Sequence, residues 1–209
     1  MALGLGYNKD VVSWDSEVPF MDNTARLLDD RRDEMIGGKI VLLSSSHHNH
    51  SIVSGNIHAI LHNYLRGKKC RVFHENIEVH LTAADRYIPD LAVICDLDKI
   101  KGGSCYGAPD LVVEVLSPST GRYDRTIKKE TYARAGVREY WIVDPGNRVV
   151  EVYHPQSGSR ELDGYYITPA SLDEVDEKRR AEFSTEFRCL IFPDLTIRLD
   201  DIFADMLPQ

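Results

Sequence analysis

The chain has 209 residues and a formal net charge of −8, with 43% hydrophobic and 28% charged residues. These values are ordinary for a globular protein and leave room for one domain with a sizeable core. No apolar run approaches the roughly 20 residues that cross a bilayer, and the N-terminus lacks the basic and apolar regions of a secretory signal. The sequence therefore argues against a membrane protein, and we expect a cytoplasmic one.

The four cysteines, Cys70, Cys95, Cys105 and Cys189, are scattered and form no CxxC pair. A disulfide framework would be denser and would occur in a smaller chain, and a zinc site would place its ligands closer together. We therefore expect reduced thiols, with Cys95 packed in the core.

The order of apolar and turn residues predicts an α+β fold. Residues 1–30 are irregular and polar and are expected to form an N-terminal extension, whereas residues 31–209 are expected to form one domain. The predicted architecture is α/β/α-like, a mixed sheet flanked by helices. In chain order, the predicted elements are a hairpin over 34–43, a helix over 50–65, strands over 71–81, 88–95 and 110–116, a helix over 124–135 that ends at Gly136, strands over 139–143 and 149–153, a charged surface stretch over 171–182, a strand over 195–199 and a short terminal helix.

Two carboxylates lie on neighbouring apolar strands of this prediction. Asp90 follows Pro89 at the start of one strand, and Glu114 lies in the middle of the next. A carboxylate among Val and Leu is costly unless it is paired, hydrogen-bonded or bound to a metal. If the two strands are adjacent, both acids can bind one divalent cation, and such oxygen ligands suit Mg²⁺ or Mn²⁺.

The helix after the Glu114 strand carries a third candidate. Asp124, Lys128 and Tyr132 are spaced at i, i+4 and i+8 and therefore share one face. Because the connection from Glu114 is short, Lys128 can reach back towards the metal, where an ammonium group positions a water or neutralises a phosphate. Tyr132 would orient Lys128.

These residues resemble a known family. The dipeptide Pro89-Asp90, the run 109–120 and the run 124–145 look like the Uma-two family of endonucleases, bacterial members of the PD-(D/E)XK restriction-endonuclease-like superfamily. The resemblance covers roughly residues 31–203. It implies a restriction-endonuclease-like core with a divalent metal.

The resemblance also implies roles for individual residues of this chain. Asp90 matches the first aspartate, Glu114 the second acid and Lys128 the lysine. The chain departs from the usual superfamily form because Leu116 stands two residues after Glu114, so the lysine has moved to the helix. The further candidates by this resemblance are His50, Glu34 and Glu75.

Together these patterns predict a Mg²⁺-dependent or Mn²⁺-dependent endonuclease that acts on DNA through a metal-activated water. A homodimer is expected as the simplest way to cut both strands. Two alternatives stay open: a catalytically silent nucleic-acid-binding or interaction module on the same fold, and a hydrolase of smaller phosphate esters.

Structural interpretations of the same residues also stay open. Glu114 could be half of a buried ion pair with Arg134 or Arg138.

A zinc site is disfavoured because Ala59 replaces the glutamate of an HExxH motif. The histidines that would have formed such a site are His47, His48, His50, His58 and His62.

Overall fold

The computed structural model describes residues 32–43, 47–117, 121–155, 162–169, 176–182 and 184–208. The predicted N-terminal extension and residues 171–175 of the charged stretch lie outside these ranges. The described helices are α1 (His48–Leu65), α2 (Gly121–Tyr123), a π-helical turn (Asp124–Lys128), α3 (Lys129–Ala135) and α4 (Leu199–Ile202), together with 3-10 turns at Leu97–Lys99 and Glu177–Glu182. The described strands are β1 (Asp33–Ile36), β2 (Lys39–Leu42), β3 (Arg71–His74), β4 (Val79–His80), β5 (Arg86–Tyr87), β6 (Leu91–Ile94), β7 (Ile100–Lys101), β8 (Ser104–Tyr106), β9 (Leu111–Val115), β10 (Glu139–Asp144), β11 (Val149–Pro155), β12 (Leu162–Pro169), β13 (Glu186–Arg188) and β14 (Thr196–Arg198).

A central mixed sheet carries the core, in the strand order β12-β11-β10-β9-β6-β3. β9 and β10 are parallel, whereas β6 pairs antiparallel with both β9 and β3. Every residue of β6 and β9 is buried, which explains their nearly continuous apolar sequence. The predicted adjacency of the Asp90 and Glu114 strands is therefore confirmed.

Helices cover both faces of this sheet. On one face, α1 packs Val53, Ile57 and Leu61 against alternate residues of β6 and β9. On the other face, Tyr132 of α3 packs against Val112 of β9. Because side chains alternate along a strand, Glu114 points to the α3 face. The predicted α/β/α-like arrangement of a mixed sheet between helices is confirmed.

A second sheet, in the order β2-β1-β5-β4-β8-β7, contains the predicted hairpin. β1 and β2 pair antiparallel around Gly37 and Gly38, both of which have a positive φ that glycine adopts without strain. Glu34 is 1% exposed in β1. This sheet therefore delivers a buried carboxylate to the core from outside the central sheet.

The prediction of one continuous strand over 71–81 is wrong. The strand β3 ends at His74, and a separate strand, β4, begins at Val79 in the second sheet. The break lies at Glu75, whose φ of 55° is rare for a residue with a side chain. Its backbone N–H donates to the Asp90 carbonyl oxygen at 2.9 Å, so the turn places Glu75 beside Asp90.

The predicted helix over 124–135 begins earlier and contains a π-helical turn at Asp124–Lys128. Such turns are rare and are frequent at functional sites. The helix ends as predicted, because Gly136 has a φ of 98° and its N–H donates to the carbonyls of Tyr132 and Ala133.

The expectation of four reduced thiols is wrong. Cys70 and Cys95 form a disulfide, whereas Cys105 and Cys189 are free and buried. The antiparallel pairing of Arg71 with Ile94 brings the two flanking cysteines opposite each other. A separation of 25 residues carries no sequence signal for this pairing.

Within the described ranges, no helix is long and apolar enough to cross a membrane.

Reduction of the disulfide should destabilise the protein. Its 25-residue separation gives an expected loss of about 3 kcal/mol in the free energy of unfolding, because the reduced unfolded chain is less constrained. Urea denaturation with and without dithiothreitol measures this loss. The Cys70→Ser/Cys95→Ser variant is the control and should not respond to dithiothreitol. Equal stability of the oxidised and reduced wild type would contradict the pairing.

Candidate active site

One buried lysine lies among three carboxylates. Lys128 is 2% exposed, and its Nζ lies 3.0 Å from Oε1 of Glu34, 3.0 Å from Oε1 of Glu114 and 3.2 Å from Oδ1 of Asp124. The Asp124 oxygen is close but is not aligned for a hydrogen bond. Tyr132 donates from its hydroxyl to Glu114 Oε1 at 3.0 Å. We call Glu34, Glu114, Asp124 and Lys128 the lysine cluster.

Three separate elements supply the four members of the lysine cluster. β1 supplies Glu34, whose Oε1 also accepts the Ile88 N–H at 2.8 Å. β9 supplies Glu114, and the π-helical turn supplies both Asp124 and Lys128. The predicted shared face of Asp124, Lys128 and Tyr132 is confirmed by their contacts.

A second group of ligand atoms lies beside the lysine cluster. One ligand atom each from His50, Glu75 and Asp90 lie within 4.8 Å of one another. Nε2 of His50 is 3.2 Å from Oδ1 of Asp90, and Oδ2 of Asp90 accepts the Val115 N–H at 2.7 Å. We call His50, Glu75 and Asp90 the ligand group.

The fold positions this group through α1 and two strand ends. His50 lies in the first turn of α1, Glu75 follows β3 and Asp90 precedes β6. The pairing of His74 with Leu91 brings the two acids together. Ser54, fully buried on α1, donates to Glu75 Oε1 at 3.2 Å. Sequence analysis missed Ser54, although its spacing after His50 places it on the same helix face.

The electrostatics of the lysine cluster follow from its excess of acid. Burial alone disfavours the charged lysine, but Glu114, Glu34 and Asp124 outweigh it and raise the pKa of Lys128 well above 10.5. The three acids therefore favour the charged form of Lys128, which serves as a hydrogen-bond donor.

For Glu114, the same surroundings favour the neutral form and not the charged form. Burial raises the pKa of its carboxyl well above 4.5; Lys128 opposes this rise, whereas the negative charges of Asp124, Asp90 and Glu34 add to it. A buried site with more acids than cations is stabilised by an added proton or an added cation.

The acidic neighbours of His50 favour its protonated form. Burial favours its neutral form, but the hydrogen bond to Asp90 and the charges of Asp90 and Glu75 outweigh burial and raise its pKa above 6.5. Its Nδ1 is buried without a hydrogen-bond partner. The ring nitrogen that faces the two carboxylates is Nε2, and this atom suits a metal ligand.

Two adjoining clefts reach the site. A small one of about 60 Å³ is lined by residues of both groups, including His50, Asp90, Glu114 and Lys128. A larger one of about 710 Å³ is lined by His50 and Ser117 as well and extends to Asp144 and Pro208. The ligand group is therefore reachable from the surface through a cleft of substrate size.

The structure brings the predicted site residues together, but in two sets. Asp90 joins His50 and Glu75, whereas Glu114 joins Lys128. The three-residue group with converging ligand atoms in the described ranges does not include Glu114. The structural interpretation that pairs Glu114 with Arg134 or Arg138 is wrong, because Arg134 approaches Glu130 and Arg138 approaches Asp110.

The family follows from a comparison with known proteins. Residues 22–191 match the model of the Uma2 family, described as "putative restriction endonuclease". The chain belongs to this family. It is 31% identical over 125 residues to the uncharacterized protein slr1290 of Synechocystis sp. (strain ATCC 27184 / PCC 6803 / Kazusa), covering 59% of this chain and 66% of that relative.

One solved structure shows the same fold. A crystal structure of a putative nuclease belonging to DUF820 from Anabaena variabilis ATCC 29413 matches with a TM-score of 0.62 at 20% identity, covering 82% of this chain and 89% of that one. The type IIG restriction endonuclease BpuSI matches with a TM-score of 0.34 at 14% identity, over 57% of this chain and 13% of that one. The first match confirms the predicted restriction-endonuclease-like fold for this Uma2 protein.

The raised pKa of Glu114 predicts a pH dependence of stability in metal-free buffer. The folded state holds this proton more tightly than the unfolded state, so the stabilisation is complete below pH 4.5 and is lost as pH rises towards the folded pKa. The free energy of unfolding should fall in this window with a slope of up to about 1.4 kcal/mol per pH unit. Urea denaturation in EDTA across this range measures the slope.

Glu114→Gln should flatten that slope, because the amide oxygen keeps both hydrogen bonds but does not titrate. The control is Glu130→Gln, an exposed glutamate on α3, which should behave like the wild type. Parallel curves for Glu114→Gln and the wild type would show that Glu114 does not hold the proton.

Removal of the lysine charge should be costly. Lys128→Met leaves three buried carboxylates without their cation, and we expect a loss of about 3–5 kcal/mol in the free energy of unfolding. The neighbouring Lys129 lies over the Tyr153 ring, so Lys129→Met should cost only about 1 kcal/mol. Similar losses in the two variants, measured by urea denaturation, would show that Lys128 contributes no more to stability than its neighbour Lys129.

Proposed function

We propose that this Uma2 protein is a metal-dependent endonuclease that hydrolyses phosphodiester bonds of DNA. The observation that carries the proposal is the convergence of His50, Glu75 and Asp90 beside the buried Lys128 and Glu114. A nuclease of this kind needs acidic ligands for a cation, a fixed positive charge near the phosphate and access for a long substrate. The two residue groups and the adjoining clefts offer all three.

The residues fit a divalent metal. Two carboxylates and one imidazole, which presents its Nε2 to Asp90, form a mixed oxygen and nitrogen set, which is compatible with Mn²⁺ and less specific for Mg²⁺. We propose that Asp90, Glu75 and His50 hold the ion, with Mn²⁺ or Mg²⁺ as the cofactor. When bound, such an ion would lower the pKa of a coordinated water and offset charge on the phosphate.

The protein groups around it have separate roles in this proposal. Lys128 remains charged and donates a hydrogen bond, so it neutralises negative charge on the phosphate. Glu114 holds the lysine in place, and Tyr132 in turn holds Glu114 by a hydrogen bond from its hydroxyl. Glu114 is a second acid next to the metal, and loss of its extra proton when a cation binds would couple metal binding to pH.

The remaining parts of the proposal concern substrate and assembly. The larger cleft of about 710 Å³ contains the uncapped N-terminal end of α1, which has no acidic residue in its first turn. Backbone N–H groups at such an end favour phosphate, which supports a nucleic-acid substrate. A homodimer and a cytoplasmic location are further expectations of the proposal.

A plasmid-nicking assay in Mn²⁺ or Mg²⁺ tests the function. We expect EDTA to abolish nicking, and Asp90→Asn and Glu75→Gln each to reduce the rate by about 100-fold or more, because a lost ligand removes several kcal/mol of metal-derived stabilisation. The matched control is Asp110→Asn, which changes a carboxylate next to β9 that pairs with Arg138 and lies outside both groups.

Calorimetric titration of the same samples with Mn²⁺ separates the alternatives. Metal binding and nicking that are both lost in Asp90→Asn, but kept in Asp110→Asn, support the endonuclease. Salt-sensitive DNA binding with no cleavage in any metal would favour the silent binding module. Cleavage of a model phosphodiester with intact plasmid would favour the hydrolase of small esters.

A further inference from the structure

Three histidines outside the proposed active site lie together where α1 meets the end of β3. His58 and His62 are one helical turn apart, with ring centroids 5.6 Å apart. His74, the last residue of β3, stacks on His58 at a centroid distance of 5.0 Å. His62 is exposed, and the other two rings are partly buried. The sequence pattern of His58 and His62 had no role in the proposed nuclease site.

These spacings agree with the geometry of imidazoles around one tetrahedral ion. A zinc-to-nitrogen bond of about 2.0–2.1 Å places each ring centroid about 3.2 Å from the metal, so two centroids are expected about 5 Å apart. The observed values of 5.6 Å and 5.0 Å lie close to that separation. His58 is therefore at that distance from each of the other two rings, but its ring is nearly parallel to that of His74, at an interplanar angle of 13°.

His74 is also oriented as a metal ligand usually is. Its Nε2 lies 3.1 Å from Ser54 Oγ and 3.5 Å from Glu75 Oε1. Metal-binding histidines commonly direct the second ring nitrogen to a carboxylate or another polar group, which fixes the ring and leaves the first nitrogen for the ion. In His74 that first nitrogen is Nδ1.

The ring nitrogens do not yet converge. In the described part of the chain, the group whose ligand atoms lie within 4.8 Å of one another is the His50, Glu75 and Asp90 group. Binding at the three histidines therefore requires rotation of side chains between rotamers. The exposed His62 is free to rotate. The ring of His58 or His74 must also turn out of their nearly parallel arrangement before both can direct a nitrogen lone pair at one ion.

We propose that His58, His62 and His74 bind one transition-metal ion of the zinc class, at a site separate from the proposed catalytic metal. A set of imidazoles alone selects Zn²⁺, Cu²⁺, Ni²⁺ or Co²⁺ over Mg²⁺. Water would complete the coordination. The site therefore differs in metal preference from the carboxylate-rich ligand group.

The experiment uses Co²⁺ as a spectroscopic probe and protein without a histidine tag. Titrations are made on Asp90→Asn, in which the ligand group is weakened while the one remaining side-chain oxygen can still accept the Val115 N–H. Co²⁺ bound to nitrogen ligands gives visible absorption, and calorimetry on the same samples gives the affinity. We expect one Co²⁺ per chain in this variant.

Addition of His62→Ala should weaken that binding by more than about tenfold, since even an outer-shell partner typically costs tenfold to a hundredfold in metal affinity. Addition of His80→Ala is the matched control, because His80 is a partly buried histidine that stacks on Tyr106 in the second sheet. It should leave the affinity unchanged.

The proposal is overturned if Asp90→Asn binds no Co²⁺ or if His62→Ala binds it as tightly as its parent. Equal losses from His62→Ala and His80→Ala would also overturn it. The test measures metal binding and not nuclease activity, and it uses a variant without the proposed catalytic aspartate. Its result is therefore independent of the outcome of the nuclease test.

Discussion

The structure depends on one buried ammonium group that is surrounded by more acid than it can neutralise. Lys128 contacts three carboxylates with almost no exposure to solvent. Burial of charge is unfavourable unless it is paired, and here the pairing draws on β1, β9 and the π-helical turn at once. The lysine cluster therefore joins the second sheet, the central sheet and the helix that follows Glu114. Incorrect placement of any of these elements would leave a charge buried without a partner.

The same imbalance connects the fold to chemistry. Three acids and one lysine leave a negative excess, and Asp90 and Glu75, which line the same small cleft, add to it. Such a site is stabilised by protons at low pH or by a cation at neutral pH. Carboxylates held together at this cost, next to an open cleft, are more readily explained by ion binding than by stability. The proposed nuclease activity follows from this arrangement and from the Uma2 family.

The central features of the site could be predicted from the sequence because they are local. Asp90 and Glu114 stand out against apolar strands, and Lys128 is placed relative to Glu114 by a short connection. The partners that arrive through long-range packing could not be placed in this way. Glu34 comes from another sheet, and Glu75 comes from a turn with an unusual φ, so sequence analysis named both but could not say what they contact.

Other features had no local signal. The disulfide depends on the register between β3 and β6, which brings two distant cysteines together. The separation of Asp90 from Glu114 into different groups depends on the alternation of the β9 side chains, which directs Glu114 to the α3 face and towards Lys128. The elements that cover each face of β9, and therefore decide the partner of Glu114, become visible only in three dimensions.

The measurement that tests the central claim most directly is a crystal structure of the protein soaked in Mn²⁺, with anomalous data collected near the manganese edge. The account predicts an anomalous peak coordinated by His50, Glu75 and Asp90, with Lys128 still bound to Glu114. Absence of a peak at that position under saturating Mn²⁺ would contradict it, and so would a peak held by other residues. In that case the lysine cluster would have to be explained as a structural feature alone.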